Sequence, residues 1–186
     1  MKTTKLEKTG ACREAILYVK EQENYVKAWQ NCPRGDWMLW IAAKLKVDKR
    51  LLTLAKGKCA ETVLHLMRDQ RSKDAVRAAI DYGHGIISDE QLRITAAAAC
   101  AVYDAAAYAA AAAAAYAAAY AAAAAYYAAA AAYAAYAAYY AAYAAAAAAD
   151  DAADAYAARK QNQLQTANIC REILTEVVLS AWKKQR

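Results

Sequence analysis

Apolar positions recur at helical spacing along most of the chain. Cys12, Ile16, Val19, Val26 and Trp29 follow that spacing. They predict a helix from Thr4, with Glu7 at the capping-box position, to about Asn31. Cys32-Pro33-Arg34-Gly35 interrupts the pattern. Asp36 is placed to cap a short apolar helix from Trp37 to Leu45. Asp48 caps the next, with Val47 and Leu52 as a hydrophobic staple and Leu52, Ala55, Cys59, Val63 and Leu66 as its buried stripe. Ser72 opens a fourth helix that ends at Gly83 or Gly85, either of which suits a left-handed cap. Ser88 with Gln91 completes a capping box, and Ile87 and Leu92 occupy its staple positions. The last helix carries Leu164, Cys170, Leu174, Val177, Ala181 and Trp182 on one side. Lys183, Lys184 and Arg186 then complement its negative end.

The helix opened by Ser88 runs into a tract of different character. Between residues 96 and 158, 45 of 63 residues are Ala and 12 are Tyr. A single helix of that length would be a rod of roughly 95 Å, against a radius of gyration of about 16 Å for a compact chain of this size. The Tyr phase offers a way out. At 100° per residue Tyr116, Tyr120 and Tyr127 share one face, whereas Tyr133, Tyr136, Tyr139, Tyr140 and Tyr143 share another. The stripe changes side near Ala128–Ala132, which predicts a turn joining two antiparallel Ala-rich helices, one continuous rod being the alternative. The fold class expected is therefore all-α: short amphipathic helices packed with a long Ala/Tyr-rich hairpin or rod. The chain is read as one helical domain with three parts: basic amphipathic helices over 1–95, the Ala/Tyr tract over 96–158, and an amphipathic helix over 159–186.

Composition narrows the class further. Phe is absent, Pro occurs once and Gly five times, so the β-branched strands and Gly/Pro turns of sheet folds are missing. Ala is the best helix former, which excludes disorder. The net charge of +6 is uneven: +6 over residues 1–95, −4 over 96–158 and +4 over 159–186. A mild basic face and an acidic patch are implied, which weakly favours an anionic partner at the basic end, though nucleic acid is not expected. The uncharged stretch Ala105–Ala149 is long enough for a bilayer, but it lacks Leu, Ile, Val and Phe, and Tyr recurs throughout it rather than at two interfaces. No membrane span is expected. Five scattered cysteines without a Cys-x-x-Cys motif, and no basic-then-apolar leader, point to a reduced cytoplasm.

Catalytic signatures are missing. No phosphate-binding glycine loop and no nucleophile elbow occurs. Gly83-His84-Gly85 reads as a helix stop. Glu61 and His65 lie one turn apart and read as a surface pair rather than an acid–base dyad. Asp150, Asp151 and Asp154 read as a solvated helix end rather than a cation site. No cofactor, no metal and no enzymatic activity are expected. Ice binding is set aside too, because the tract has no regularly spaced Thr.

One constellation stands out. Tyr133, Tyr136, Tyr140, Tyr143, Asp150 and Asp154, with Ala147 filling the gap, follow alternating spacings of three and four, a heptad-like stripe. It makes either a packing seam or a recognition face, since Tyr combines rigid area with a hydrogen-bonding tip. Trp40 and Arg50, from the basic half, complete the candidate partner-binding set.

The order of features from Trp37-Met38-Leu39-Trp40, through Asp48-Lys49-Arg50-Leu51-Leu52, Cys59-Ala60 and Asp69-Gln70-Arg71, to Ile86-Ile87-Ser88-Asp89-Glu90-Gln91-Leu92 and the Ala/Tyr repeats carries a resemblance. It resembles the alanine-rich immunity-protein domain that accompanies bacterial polymorphic toxins and occurs in mobile elements. The resemblance covers about Asp36 to Leu174 and implies an all-helical cytoplasmic binding protein without enzymatic activity. It supplies no ligand residues. The leading expectation is a non-catalytic protein that neutralises or sequesters a toxin or defence component. The alternatives are a sponge that captures a nucleotide signal between Tyr and basic side chains, and a structural or oligomerisation module joined through the Ala/Tyr helices.

Overall fold

The structure is a computed structural model that describes residues 6–7, 9–109, 120–121, 123–124, 126–128, 136–148 and 152–184, without the side chains of 102–109 and 152–153. The fold is all-α, and no strand occurs among the described residues. The helices are α1 (Arg13–Lys20), α2 (Tyr25–Gln30), α3 (Gly35–Lys44), α4 (Lys49–Glu61), α5 (Gln70–Gly83), α6 (Asp89–Ala109), α7 (Tyr136–Ala147) and α8 (Ala152–Lys184). A 3-10 turn, Leu64–Leu66, follows α4. Among the described residues no helix is long and apolar enough to cross a membrane.

Local chemistry sets most of the boundaries. Asp48 accepts from the Arg50 and Leu51 amides at 2.9 and 3.0 Å, as expected. Ser88 and Gln91 cap one another reciprocally, at 2.8 and 3.3 Å. Four expectations need correction. The amino-terminal helix is broken twice: a turn at Thr9–Gly10, with Gly10 at φ +82°, separates the helical Leu6 and Glu7 from α1, and Asn24 caps α2 by accepting from the Lys27 amide at 3.0 Å, while Thr4 lies outside the described residues. Asp36 does not cap α3; it lies inside the first turn, buried, and its carboxylate is taken by Arg34. Ser72 does not open α5; Asp69 caps it, and the Ser72 hydroxyl is buried without a partner. Gly85, at φ +78°, is the left-handed cap, its amide bonding Tyr82 while the Ile86 amide bonds Asp81. Gly83 is instead a notch: a Cβ there would lie 2.9 Å from Leu54 Cα.

Helix α8 is the spine. At about 50 Å long it packs on α2, α3, α4 and α7. Its buried line is Asn162, Gln163, Thr166, Ala167, Cys170, Leu174 and Val178. The expected stripe is thus shifted: Val178 rather than Val177 is fully buried, and Leu164 is exposed. Helices α4, α5 and α6 stack in chain order. One core joins Val63, Met67, Val76, Ala79, Tyr82 and Leu92 to buried alanines of the 120–128 segment and α7. A second joins Trp29, Met38, Leu39, Ala42, Cys59, Cys170 and Leu174. Helix α7 serves both, giving Ala137, Ala141 and Ala144 to the first and Ala138 to the second. Alanine faces of this kind allow axes to approach closely.

The tract doubles back. Were residues 120–143 one helix, Tyr120 and Tyr140 would stand about 30 Å apart. Their ring centroids are 6.0 Å apart, and those of Tyr127 and Tyr136 are 5.0 Å apart. The 120–128 segment and α7 therefore run antiparallel, as the hairpin reading expects. Ala128 is helical and buried, and residues 129–132 of the expected turn lie outside the described residues.

Candidate functional site

A cavity of about 340 Å³ opens against α1, α2 and α3, with Leu6, Gly10, Ala11 and Cys12 on one side and Tyr139 of α7 and Trp182 of α8 on the other. Its wall is aromatic. Trp29, Trp37, Trp40 and Trp182 line it together with Tyr18, Tyr25 and Tyr139, and these four are all the tryptophans of the chain. The convergence follows from the packing. The break at Cys32–Pro33 lets α2 and α3 each pack on α8, and the last turns of α8 bring Trp182 against Trp29, edge-on at 6.1 Å, and against Tyr25 at 5.7 Å. Tyr18 of α1 covers Trp37 at 5.7 Å.

Several polar groups of the wall are engaged within the protein. Arg34 Nε and Nη2 donate to the two oxygens of Asp36 at 3.1 and 2.6 Å. Arg34 Nη1 donates to Glu14 at 3.1 Å, and the guanidinium lies 4.5 Å over the Trp37 ring. Tyr18 donates its hydroxyl to the Ala28 carbonyl at 3.0 Å, and Trp29 Nε1 donates to Thr175. Burial, helped by the neighbouring Cys32 sulfur, pushes the Tyr18 hydroxyl up to about 12. Burial likewise raises the Cys32 thiol to about 11. Both stay protonated at neutral pH. Asp36 is the one carboxylate in the wall among the described residues, so the cavity offers aromatic faces and a closed ion pair.

The Tyr stripe forms a different structure. Tyr140 stacks on Tyr127 at 5.4 Å with an interplanar angle of 4°, and on Tyr120 at 6.0 Å. Tyr136 lies against Tyr127 but is 41% exposed. Tyr143 packs on Tyr120 at 5.6 Å and on Tyr139 at 4.6 Å, and Arg159 covers its ring at 4.3 Å. The bond to Tyr143, then burial, raises the Tyr139 hydroxyl to about 12. The stripe is thus a ladder of rings between two antiparallel segments, with Tyr136 at its open edge.

The candidate residues divide accordingly. Tyr136, Tyr140 and Tyr143 come together in the ladder, and Asp154 is exposed near the start of α8. Tyr133 and Asp150 lie outside the described residues. Trp40 lines the aromatic cavity, with the Lys44 ammonium 5.6 Å from its ring centroid. Arg50 is elsewhere, 4.5 Å over the Tyr82 ring and donating to the Tyr82 carbonyl at 2.7 Å, where it ties α4 to α5. Glu61 ends α4 and pairs with Lys58, whereas His65 sits in the 3-10 turn, so they share no helix face. Among the described residues no group of three or more His, Cys, Asp or Glu is placed to hold a metal ion. Sequence reasoning missed Trp29, Trp37 and Trp182 as site residues. Their rarity was the available signal, since four tryptophans in a chain without Phe mark where large apolar area is concentrated.

Comparisons with protein-family models, curated proteins and solved structures find no match to this chain.

Proposed function

We propose that the chain is a non-catalytic binding protein that sequesters a protein partner, a toxin or a defence component, by seating part of it in the aromatic cavity. The observation that carries this reading is the meeting of all four tryptophans on one open cavity. Tryptophan dominates binding energy at protein interfaces because it buries large rigid area at small entropic cost. A cavity of this size falls at the lower end of the range used for ligands. The order of features between Trp37 and Leu92 that resembles immunity-protein domains supports the same reading. A nucleotide sponge fits less well. The ladder tyrosines face one another instead of an open slot, and the cavity's one guanidinium is closed by Asp36 and Glu14.

The test is recovery of a stoichiometric partner on the tagged chain from its native host, compared with the Trp40→Ala variant. Trp40 is half-exposed, so its removal leaves the core intact. A partner held by the native chain and lost from the folded variant is the expected result. A partner held equally by both retires the cavity as the binding site. A rise in melting temperature with a nucleotide panel would favour the sponge instead.

A further inference from the structure

Helix α1 forms the outer wall of the aromatic cavity through Ala15, Tyr18 and Val19, with Leu6, Ala11 and Cys12 continuing it. That wall is held differently from the floor. The floor belongs to the core: Trp29, Cys32 and Met38 are buried, and Trp29 is bonded to Thr175 of α8. Among the described residues of 6–24, Ala15 is the one buried residue, and it joins neither core. Leu17, on the far side of α1, is 49% exposed. No helix continues into α1 from either side. Gly10 turns at φ +82° with open space where a Cβ would stand, and residues 21–24 are non-helical before Asn24 caps α2.

Side-chain ties latch α1 down. The Tyr18 hydroxyl donates to the Ala28 carbonyl at 3.0 Å, one of the carbonyls that the last turn of α2 leaves open. Glu14 accepts from Arg34 at 3.1 Å, and the Tyr18 ring covers Trp37 at 5.7 Å. Each tie can part without harm to the core. Arg34 keeps Asp36 when it releases Glu14, and the Tyr18 hydroxyl and the Ala28 carbonyl exchange one another for water. Segments with few buried apolar contacts open locally at lower free energy than the whole fold. We propose that α1 is a lid on the aromatic cavity, swinging on residues 21–24 to free Trp37 from Tyr18 while α2, α3 and α8 stay packed. The lid governs access to the cavity whatever occupies it, and so does not depend on a protein partner.

Hydrogen exchange of the full chain in low urea, read by mass spectrometry, tests the lid, with acrylamide quenching of tryptophan fluorescence beside it. All four indoles of the chain line the cavity, so quenching reports on its cover. Amides of residues 16–20 are expected to exchange on the order of 100-fold faster than those of residues 166–178, with little dependence on urea. The double variant Glu14→Gln, Tyr18→Phe loosens both ties at side chains outside the buried core. It is expected to speed exchange at 16–20 by a further factor of about three or more, and to raise the quenching constant, with 166–178 unchanged. Exchange at 16–20 that matches 166–178 in rate and urea dependence means that α1 opens only with the whole fold, and overturns the proposal. Faster exchange at 16–20 in the variant without any rise in quenching means that α1 frays while the cavity stays covered, and overturns it too. Equal acceleration at 166–178 assigns both ties to the whole fold and overturns the latch.

Discussion

Trp29 Nε1 donates to the Thr175 hydroxyl at 2.9 Å, across 146 positions of sequence, and so pins α2 to the carboxyl half of α8. Trp29 is 2% exposed and also meets Trp182 edge-on. Thr175→Val keeps the shape and removes the acceptor, leaving a nearly buried N–H without a partner. That change is expected to cost about 1–3 kcal/mol. Trp29→Ala, which also empties the ring's volume, is expected to cost about 3–5 kcal/mol. Urea denaturation curves with unchanged slopes check both. A Thr175→Val protein as stable as the native one would show that the bond contributes nothing net.

Three backbone positions separate steric from conformational effects. Gly83→Ala places a Cβ 2.9 Å from Leu54 Cα and closer still to Leu54 Cβ, so α4 and α5 must part. Overpacking of this kind costs about 1–3 kcal/mol. Gly85→Ala meets only the Arg50 side chain, at an ordinary 3.7 Å from Nη1, and is strained only by its φ of +78°. About 1–2 kcal/mol is expected there. Lys46, at φ +54°, closes α3 with the same bonding pattern, its amide on Ala43 and the Val47 amide on Ala42. Lys46→Gly is therefore expected to stabilise the protein by up to about 1 kcal/mol. Thermal unfolding that left Lys46→Gly below the native protein would contradict this account of the α3 cap.

The contrast between Gly83 and Gly85 shows what was legible in the sequence. Caps that close on themselves, Ser88 with Gln91 and Asp48 with the Arg50 and Leu51 amides, are readable because donor and acceptor lie within three residues. Asp36 carries the same local signal as Asp48, but Arg34 claims its carboxylate and moves the helix start. Ser72 looks like a cap and is buried within α5 instead. The hairpin could be inferred because Tyr phase depends only on helical pitch, and facing rings must lie on opposite segments. The cavity could not. Its wall draws on residues 6 to 41, Tyr139 and Trp182, and no periodicity within one element records that meeting.

Lys56 gives a pH signature. Its side chain is 1% exposed, and burial, assisted by repulsion from Lys49, lowers its ammonium from 10.5 to about 8. Below pH 8 the group is charged in both states, and the folded state carries the full penalty. Between about 8 and 10.5 the unfolded chain binds more protons, so this group's contribution to stability rises with pH by roughly 3 kcal/mol. Cys32 acts oppositely: with its thiol raised to about 11, its contribution is present below pH 9 and lost above it. The buried Cys170 thiol, also held high, adds to that loss, so above pH 9 the native protein is expected to lose stability less steeply than Lys56→Met. Parallel curves for the two proteins would show that Lys56 titrates normally.

The cysteines rank themselves by access. Cys12 is exposed at the cavity wall, Cys100 is partly covered, and Cys32, Cys59 and Cys170 are buried free thiols. Burial and the bond with Cys59 hold the Cys170 thiol well above its ordinary pKa. Alkylation of the native protein, followed by mass spectrometry, is expected to modify Cys12 first and the three buried thiols slower by on the order of 100-fold or more. Early modification of Cys170 would mean that α3 and α8 separate readily. Because Cys12 borders the cavity, an occupant should slow its alkylation while leaving Cys100 unchanged.

Tyr140 and Tyr136 decide what the ring ladder does. Tyr140 is packed between Tyr120 and Tyr127 and against the buried alanines of the first core. Alanine on both segments leaves few large side chains to hold them, and each buried methyl contributes less than about 1 kcal/mol. The rings therefore carry a disproportionate share of the contact. Tyr140→Ala is expected to cost about 2–4 kcal/mol, and Tyr140→Leu about half of that, since it restores area but not stacking. Tyr136, 41% exposed at the ladder's edge, is expected to cost under about 1 kcal/mol as Ala. If Tyr140→Ala unfolds at the native denaturant midpoint, the ladder is not a packing seam, and its rings are free to serve recognition. If Tyr136→Ala keeps its stability but loses a partner that Trp40→Ala retains, the open edge of the ladder, rather than the tryptophan cavity, is the binding face.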